Sequence, residues 1–172
     1  MRIDSMLARY LALAVGLMFS TAGMAAQPSP LVNFQIAFTG HVDCYRPIAI
    51  NNVPITGSGA GTMYTDGSAS ADLTQTAFVL SSTVHFEGRL GRPAPAPGGT
   101  AQVRVAGPHR LLLIWDLPNN QMVVTVNVTS NTCTARFVAN LKPGKTEYTL
   151  FDGNNYHYCG RPIPVTASCQ VH

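Results

Sequence analysis

Gln121–Thr129 reads QMVVTVNVT, and Met122, Val124, Val126 and Val128 fall on every second position. Between them stand Thr125, Asn127 and Thr129, with only Val123 out of pattern. Side chains of an extended chain point to opposite faces in turn, so a period of two puts the four apolar residues on one side. A sheet strand half buried on a core carries that signature, and antiparallel sheets show it most cleanly.

The same period recurs outward from this stretch. In LVNFQIAFT (31–39), Val32, Phe34, Ile36 and Phe38 share one face; in AFVLSSTVHFEG (77–88), Phe78, Leu80, Val84 and Phe86 do. CTARFVANL (133–141) aligns Cys133, Ala135, Phe137, Ala139 and Leu141. LLLIW (111–115) is apolar on both faces, as a strand covered on both sides would be. Turn sequences separate the runs: TDGS (65–68), LPNNQ (117–121), KPGK (142–145) and DGNN (152–155). Pro143 pre-sets its own φ and Gly144 supplies the positive φ of a type II turn. Such short connections predict an all-β protein: an antiparallel sheet system of about eight to ten strands, sandwich-like or strongly curved. Sandwich, barrel and open curved sheet all satisfy this alternation.

GRPAPAPGGT (91–100) interrupts the pattern, because alternating proline and alanine favour an extended segment without a hydrogen-bond ladder. We expect a long exposed loop joining two parts of one domain that spans 27–172. Residues 1–26 read as a secretory signal: Arg2 and Arg9, the apolar run LALAVGLMF (11–19), then small residues ending at Ala25 and Ala26. That run is shorter than the roughly 20 residues a bilayer requires, and no later segment is predicted to span one. The expected localisation is therefore exported, periplasmic or extracellular.

Charged residues make up 11% of the chain, against about 25% in an ordinary globular protein. Without Arg2, Arg9 and Asp4, the 11 basic and 8 acidic residues become nine and seven, with no basic run. Nucleic acid is not an expected partner, since its phosphates call for clustered positive charge. The four cysteines, Cys44, Cys133, Cys159 and Cys169, include no Cys-x-x-Cys pair. An even count in an exported chain reads as two disulfides with three possible connectivities. We expect Cys159 to pair with Cys169 across a final hairpin, leaving Cys44 with Cys133.

Motifs for catalysis are missing where they would be legible. GSGAGT (57–62) is glycine-rich, but a phosphate loop needs a following helix and usually a lysine, and MYTDG follows instead. No Gly-x-Ser-x-Gly elbow is present, and no spacing singles out a carboxylate pair for glycoside hydrolysis. An enzyme is thus less favoured than a binding protein, and no cofactor is expected.

Three polar features remain. His41 with Asp43, and His85 with Glu87, each place an imidazole and a carboxylate two positions apart on one strand face. On adjacent strands the two pairs would form a mixed nitrogen and oxygen metal site or a pH-responsive cluster. Outward polar residues on alternating strands also produce such pairs without any ligand. NYHYC (155–159) sets Tyr156 and Tyr158 on one face, as rim packing or as a stacking platform. Finally, CYRPIAI (44–50) is echoed by CGRPIPV (159–165). Proline drives Arg46 and Arg161 toward extended backbone and belongs at a sheet edge. We read the echo as a disulfide staple at the end of a sheet; if the copies meet, Arg46 and Arg161 would line an anion site.

Three functions follow as expectations. The first is a non-catalytic exported module binding a lipid-like or other apolar ligand. The second is a structural or interaction domain docking another exported protein through a sheet edge or proline loop. The third is a metal or acid–base site at the His-x-acid pairs. A lined cavity favours the first, and exposed apolar surface without one favours the second.

Overall fold

The computed structural model describes residues 28–172 apart from 79, 89–91 and 130; the expected signal at 1–26 lies outside the described residues. Twelve strands follow in order: β1 (Pro30–Arg46), β2 (Ile50–Tyr64), β3 (Ala69–Ala77), β4 (Leu80–Gly88), β5 (Ala94–Ala96), β6 (Gly99–Val105), β7 (Arg110–Asp116), β8 (Asn120–Val128), β9 (Cys133–Leu141), β10 (Tyr148–Phe151), β11 (Tyr156–Cys159) and β12 (Ile163–Val171). The count exceeds the expected eight to ten because β5, β10 and β11 have only three or four residues each, too few to display alternation.

All pairings are antiparallel. A seven-stranded sheet runs β10-β11-β1-β2-β3-β4, with β12 also on β1, and a five-stranded sheet runs β5-β6-β7-β8-β9. β1 is long enough for two short strands to share one flank: β11 pairs at Cys44 and Arg46, and β12 pairs from Phe34 to His41. One hydrophobic cluster draws on both sheets. Phe38 of β1 stacks on Phe137 of β9 across the interior at 4.7 Å between ring centroids.

The apolar face of QMVVTVNVT lands as expected, with Met122, Val124, Val126 and Val128 all buried, whereas Leu80 and Leu141, at the ends of their alternating runs, are exposed. The glycine-rich stretch of β2 acquires a packing role. Gly57 and Gly61 lie opposite Phe38 and Phe34, and a Cβ at either position would overlap the facing aromatic ring. The glycines make room for these two rings inside the sheet, so GSGAGT is a packing feature.

GRPAPAPGGT is not a long loop. Ala94–Ala96 pairs with Gly99–Ala101 around a Pro97-Gly98 turn, where proline sets its φ and Gly98 adopts +68°. Pro95 is tolerated because β5 is an edge strand. The turn also accepts a core bond, as Trp115 Nε1 donates to Pro97 O at 3.0 Å.

The disulfide pairing is also different from expectation. Cys44 joins Cys159, and Cys133 joins Cys169. Cys159 and Cys169 lie on β11 and β12, which do not pair with each other; each instead meets β1. The first bond thus staples β1 to β11, and the second ties β9 of one sheet to β12 of the other. Two disulfides fit an oxidising compartment. No helix among the described residues is long and apolar enough to cross a membrane.

Candidate functional site

The structure separates the two His-x-acid pairs. His41 and Asp43 stand on β1, His85 and Glu87 on β4, and β2 and β3 lie between them. The adjacency that a shared site would need is therefore not met, since a hairpin chain of four strands places the first and last apart. No group of three or more His, Cys, Asp or Glu among the described residues is arranged to hold a metal. His85 has its own partners: Nδ1 lies 2.7 Å from Asp72 Oδ1 and Nε2 lies 3.4 Å from Glu87 Oε2. The Asp72 bond, with help from Glu87, raises the imidazole above its ordinary range despite partial burial. Both nitrogens face acceptors, which suits the cation on an exposed surface.

Asp43 has a structural task. Its carboxylate Oδ1 accepts the Asn52 amide at 2.7 Å, and its carbonyl accepts the Gly160 amide at 2.8 Å. It sits where the β1–β2 register shifts between Val42 and Cys44, so it anchors the turn beyond.

The echoed segments do meet, joined at Cys44 and Cys159. They run antiparallel there, so Arg46 and Arg161 leave the staple in opposite directions. Arg46 forms an ion pair with Glu147, and its guanidinium lies 4.7 Å from the centre of the Tyr158 ring. Arg161 instead borders a shallow concavity of about 180 Å³ with Arg136, Phe137 and Pro162. The echo is a staple, and its two arginines serve separate places.

Beyond the staple, the β1–β2 tip is apolar and exposed. Tyr45, Ile48 and Ile50 are 51%, 64% and 40% accessible within six consecutive residues. The disulfide, the Asp43 bonds and the Arg46–Glu147 pair hold this tip from both sides. Sequence reasoning found the staple but missed the tip. The signal was present in the isoleucines of CYRPIAI, which do not continue a buried face.

The β10–β11 hairpin caps one end of the two sheets. Phe151 packs on Gly98 of the β5–β6 turn, and Gly153 lies against the backbone of Ser81 on β4. Asn120 at the start of β8, itself buried, accepts the Thr149 amide at 2.6 Å through Oδ1. In the cap, His157 Nε2 donates to Asp152 Oδ2 at 2.6 Å, while Asp152 Oδ1 accepts the amides of Asn154 and Asn155. The His157 ring packs on Phe78 at 4.1 Å between centroids. DGNN reads as a turn in the sequence; its buried carboxylate emerges only once the hairpin folds over the sheets.

Burial alone would raise the Asp152 pKa, but the His157 bond and the two amides outweigh it and hold the carboxyl below its ordinary 3.8. A depressed carboxyl contributes stability above 3.8 that fades as pH falls through the folded value. Wild-type stability is therefore expected to drop below about pH 4, and Asp152→Asn should flatten that drop. The variant should also lose about 1.5–3 kcal/mol at neutral pH, the usual loss for a bond to a charged group. Urea unfolding across the pH range checks both; an equal acid slope in the two proteins would refute the account.

A concavity of about 530 Å³ lies on the outer face of the seven-stranded sheet, an open trough whose lining includes Gln35, Ser58, Thr74 and Ser168. The space between the sheets is occupied by core side chains. Compared with protein-family models, curated proteins and solved structures, the chain matches none.

Proposed function

We propose that this chain is an exported, non-catalytic interaction module that docks another exported protein through the β1–β2 tip. The observation that carries this reading is the exposure of Tyr45, Ile48 and Ile50 on one stapled turn. Large apolar side chains in contiguous exposure mark interaction sites. A turn already held in one shape loses little conformational entropy on binding, so its anchors contribute more of their burial to affinity. Less supports the apolar-ligand reading, which needs a lined cavity where Phe34, Phe38 and Phe137 pack. The His-x-acid pairs support a metal or acid–base site no better, lying with two strands between them.

Site-specific photo-cross-linking in cells exporting the protein tests the proposal. A photoreactive residue at position 48 is expected to give a discrete protein adduct, and one at position 83, on the outer face of β4, is not. Ile50→Asp should abolish the adduct while leaving export unchanged. Equal labelling at the two positions, or none at 48 in well-exported protein, would overturn the reading. A native mass exceeding the chain by that of a lipid would favour the apolar-ligand alternative.

A further inference from the structure

The open trough on the outer face of the seven-stranded sheet is built by strand register. Ser168 of β12, Ala37 of β1, Ser58 of β2 and Thr74 of β3 stand in one row across the strands. Gln170, Gln35, Ala60 and Asp72 form the next row, two residues along each strand. The residues between the rows, Ile36 and Leu73 among them, point into the core, so both rows face outward. Every member of the two rows lines the trough of about 530 Å³. With strands roughly 4.8 Å apart, the step from β12 to β3 gives it a length of about 14 Å. The two alanines keep the floor low, and amides and hydroxyls stand around them. A second concavity of about 350 Å³ shares Gln35, Ala60 and Asp72 and continues over Asn33, Thr62 and Ser70. Beside it the Tyr64 hydroxyl lies 3.2 Å from Ser70 Oγ, so a half-buried aromatic ring borders the polar lining.

Charge and hydrogen-bonding capacity narrow what this surface can hold. Neither row contains Lys or Arg, so a phosphate or carboxylate finds no charged donor there. The single carboxylate, Asp72, is bonded by His85 at 2.7 Å and belongs to no group that could hold a metal ion among the described residues. A lipid tail would press hydrocarbon against the amides of Gln35 and Gln170 and the hydroxyls of Ser58, Thr74 and Ser168. A polyhydroxylated chain matches the lining instead. Each sugar hydroxyl both donates and accepts, as the glutamine amides and the serine and threonine hydroxyls do. The Ala37 and Ala60 methyl groups meet the C–H faces of the rings. Short side chains also lose little rotamer freedom when covered, which favours binding on a shallow surface.

We propose that this trough binds a neutral glycan chain laid across β12, β1, β2 and β3. The site is separate from the β1–β2 tip, which lies beyond Cys44 at the end of β1.

Nuclear magnetic resonance titration of the exported, disulfide-bonded protein with cellotetraose and with chitotetraose tests the proposal. Saturable shifts of the backbone amides at 35–37, 58–60, 72–74 and 168–170 are expected with at least one probe. A response to chitotetraose alone would show that the acetamido group is read; a response to cellotetraose shows that hydroxyls suffice. Ala37→Arg and Ala60→Arg each place a long side chain on the floor and should weaken binding about tenfold or more. Thr134→Arg, on the exposed face of β9 in the other sheet, should leave binding within about twofold. No saturable response to either probe at about 10 mM, where even a weak site fills, would overturn the proposal. So would shifts centred on another face, or arginine variants at 37 and 60 that bind as wild type does. If those variants do not fold, the wild-type shift map alone decides between the outcomes.

Discussion

Replacing Cys44 and Cys159 together by alanine is expected to cost about 4–5 kcal/mol of stability. The bond closes a loop of 115 residues, and the entropy withdrawn from the unfolded chain grows with loop length. The Cys133–Cys169 bond spans 36 residues, for which the same relation gives about 3–4 kcal/mol. Cys44 and Cys159 are both fully buried, so alanine leaves no polar group stranded at the site. Guanidinium unfolding of the two double variants should rank the first below the second. The reverse order would show that the covalent tie between the sheets matters more than loop length. The first variant should also free the β1–β2 tip, and with it the cross-link at position 48 should weaken even where the fold survives.

Trp115→Ala is expected to destabilise by about 3–5 kcal/mol, the range for deleting a large aromatic from a close-packed interior. Trp115 is 1% accessible and heads the largest fully buried side chains. It faces Ala101 and Met122 on the flanking strands, so the vacated volume is bounded by sheet backbone that cannot readily collapse. The indole also holds the Pro97 carbonyl, fixing the β5–β6 turn against which the cap packs. Trp115→Phe retains most of the volume and should lose about 1–2 kcal/mol, mainly the bond. Circular dichroism must follow this unfolding, because the chain has one tryptophan. A loss below about 2 kcal/mol in the alanine variant would mean that the β5–β6 hairpin closes over the gap.

The legible and illegible parts divide along physical lines. Met122, Val124, Val126 and Val128 announced a strand and its buried face because alternation is a property of the chain's own geometry. TDGS, KPGK and DGNN announced turns because proline and glycine restrict or free φ at their own positions. GRPAPAPGGT was misread because a three-residue edge strand shows no period, and its ladder comes entirely from β6. His85 and Glu87 were readable as neighbours two apart, whereas Asp72, which holds His85 most closely, arrives from another strand.

By itself, the sequence determined an antiparallel β protein with two disulfides, low charge and hairpin connections, since each of these is written in local spacing or composition. Only the tertiary structure decided that β11 and β12 divide one flank of β1. From that follows the pairing of Cys44 with Cys159, while the order β1-β2-β3-β4 sets His41 apart from His85, and the folded tip leaves Tyr45, Ile48 and Ile50 exposed. It also set the His157 ring on Phe78 and Gly153 against the backbone of Ser81, joining segments far apart in the chain. Such juxtapositions depend on which edge a returning strand takes, and competition between sheet edges is settled by the burial of the whole core, which no short stretch of residues encodes.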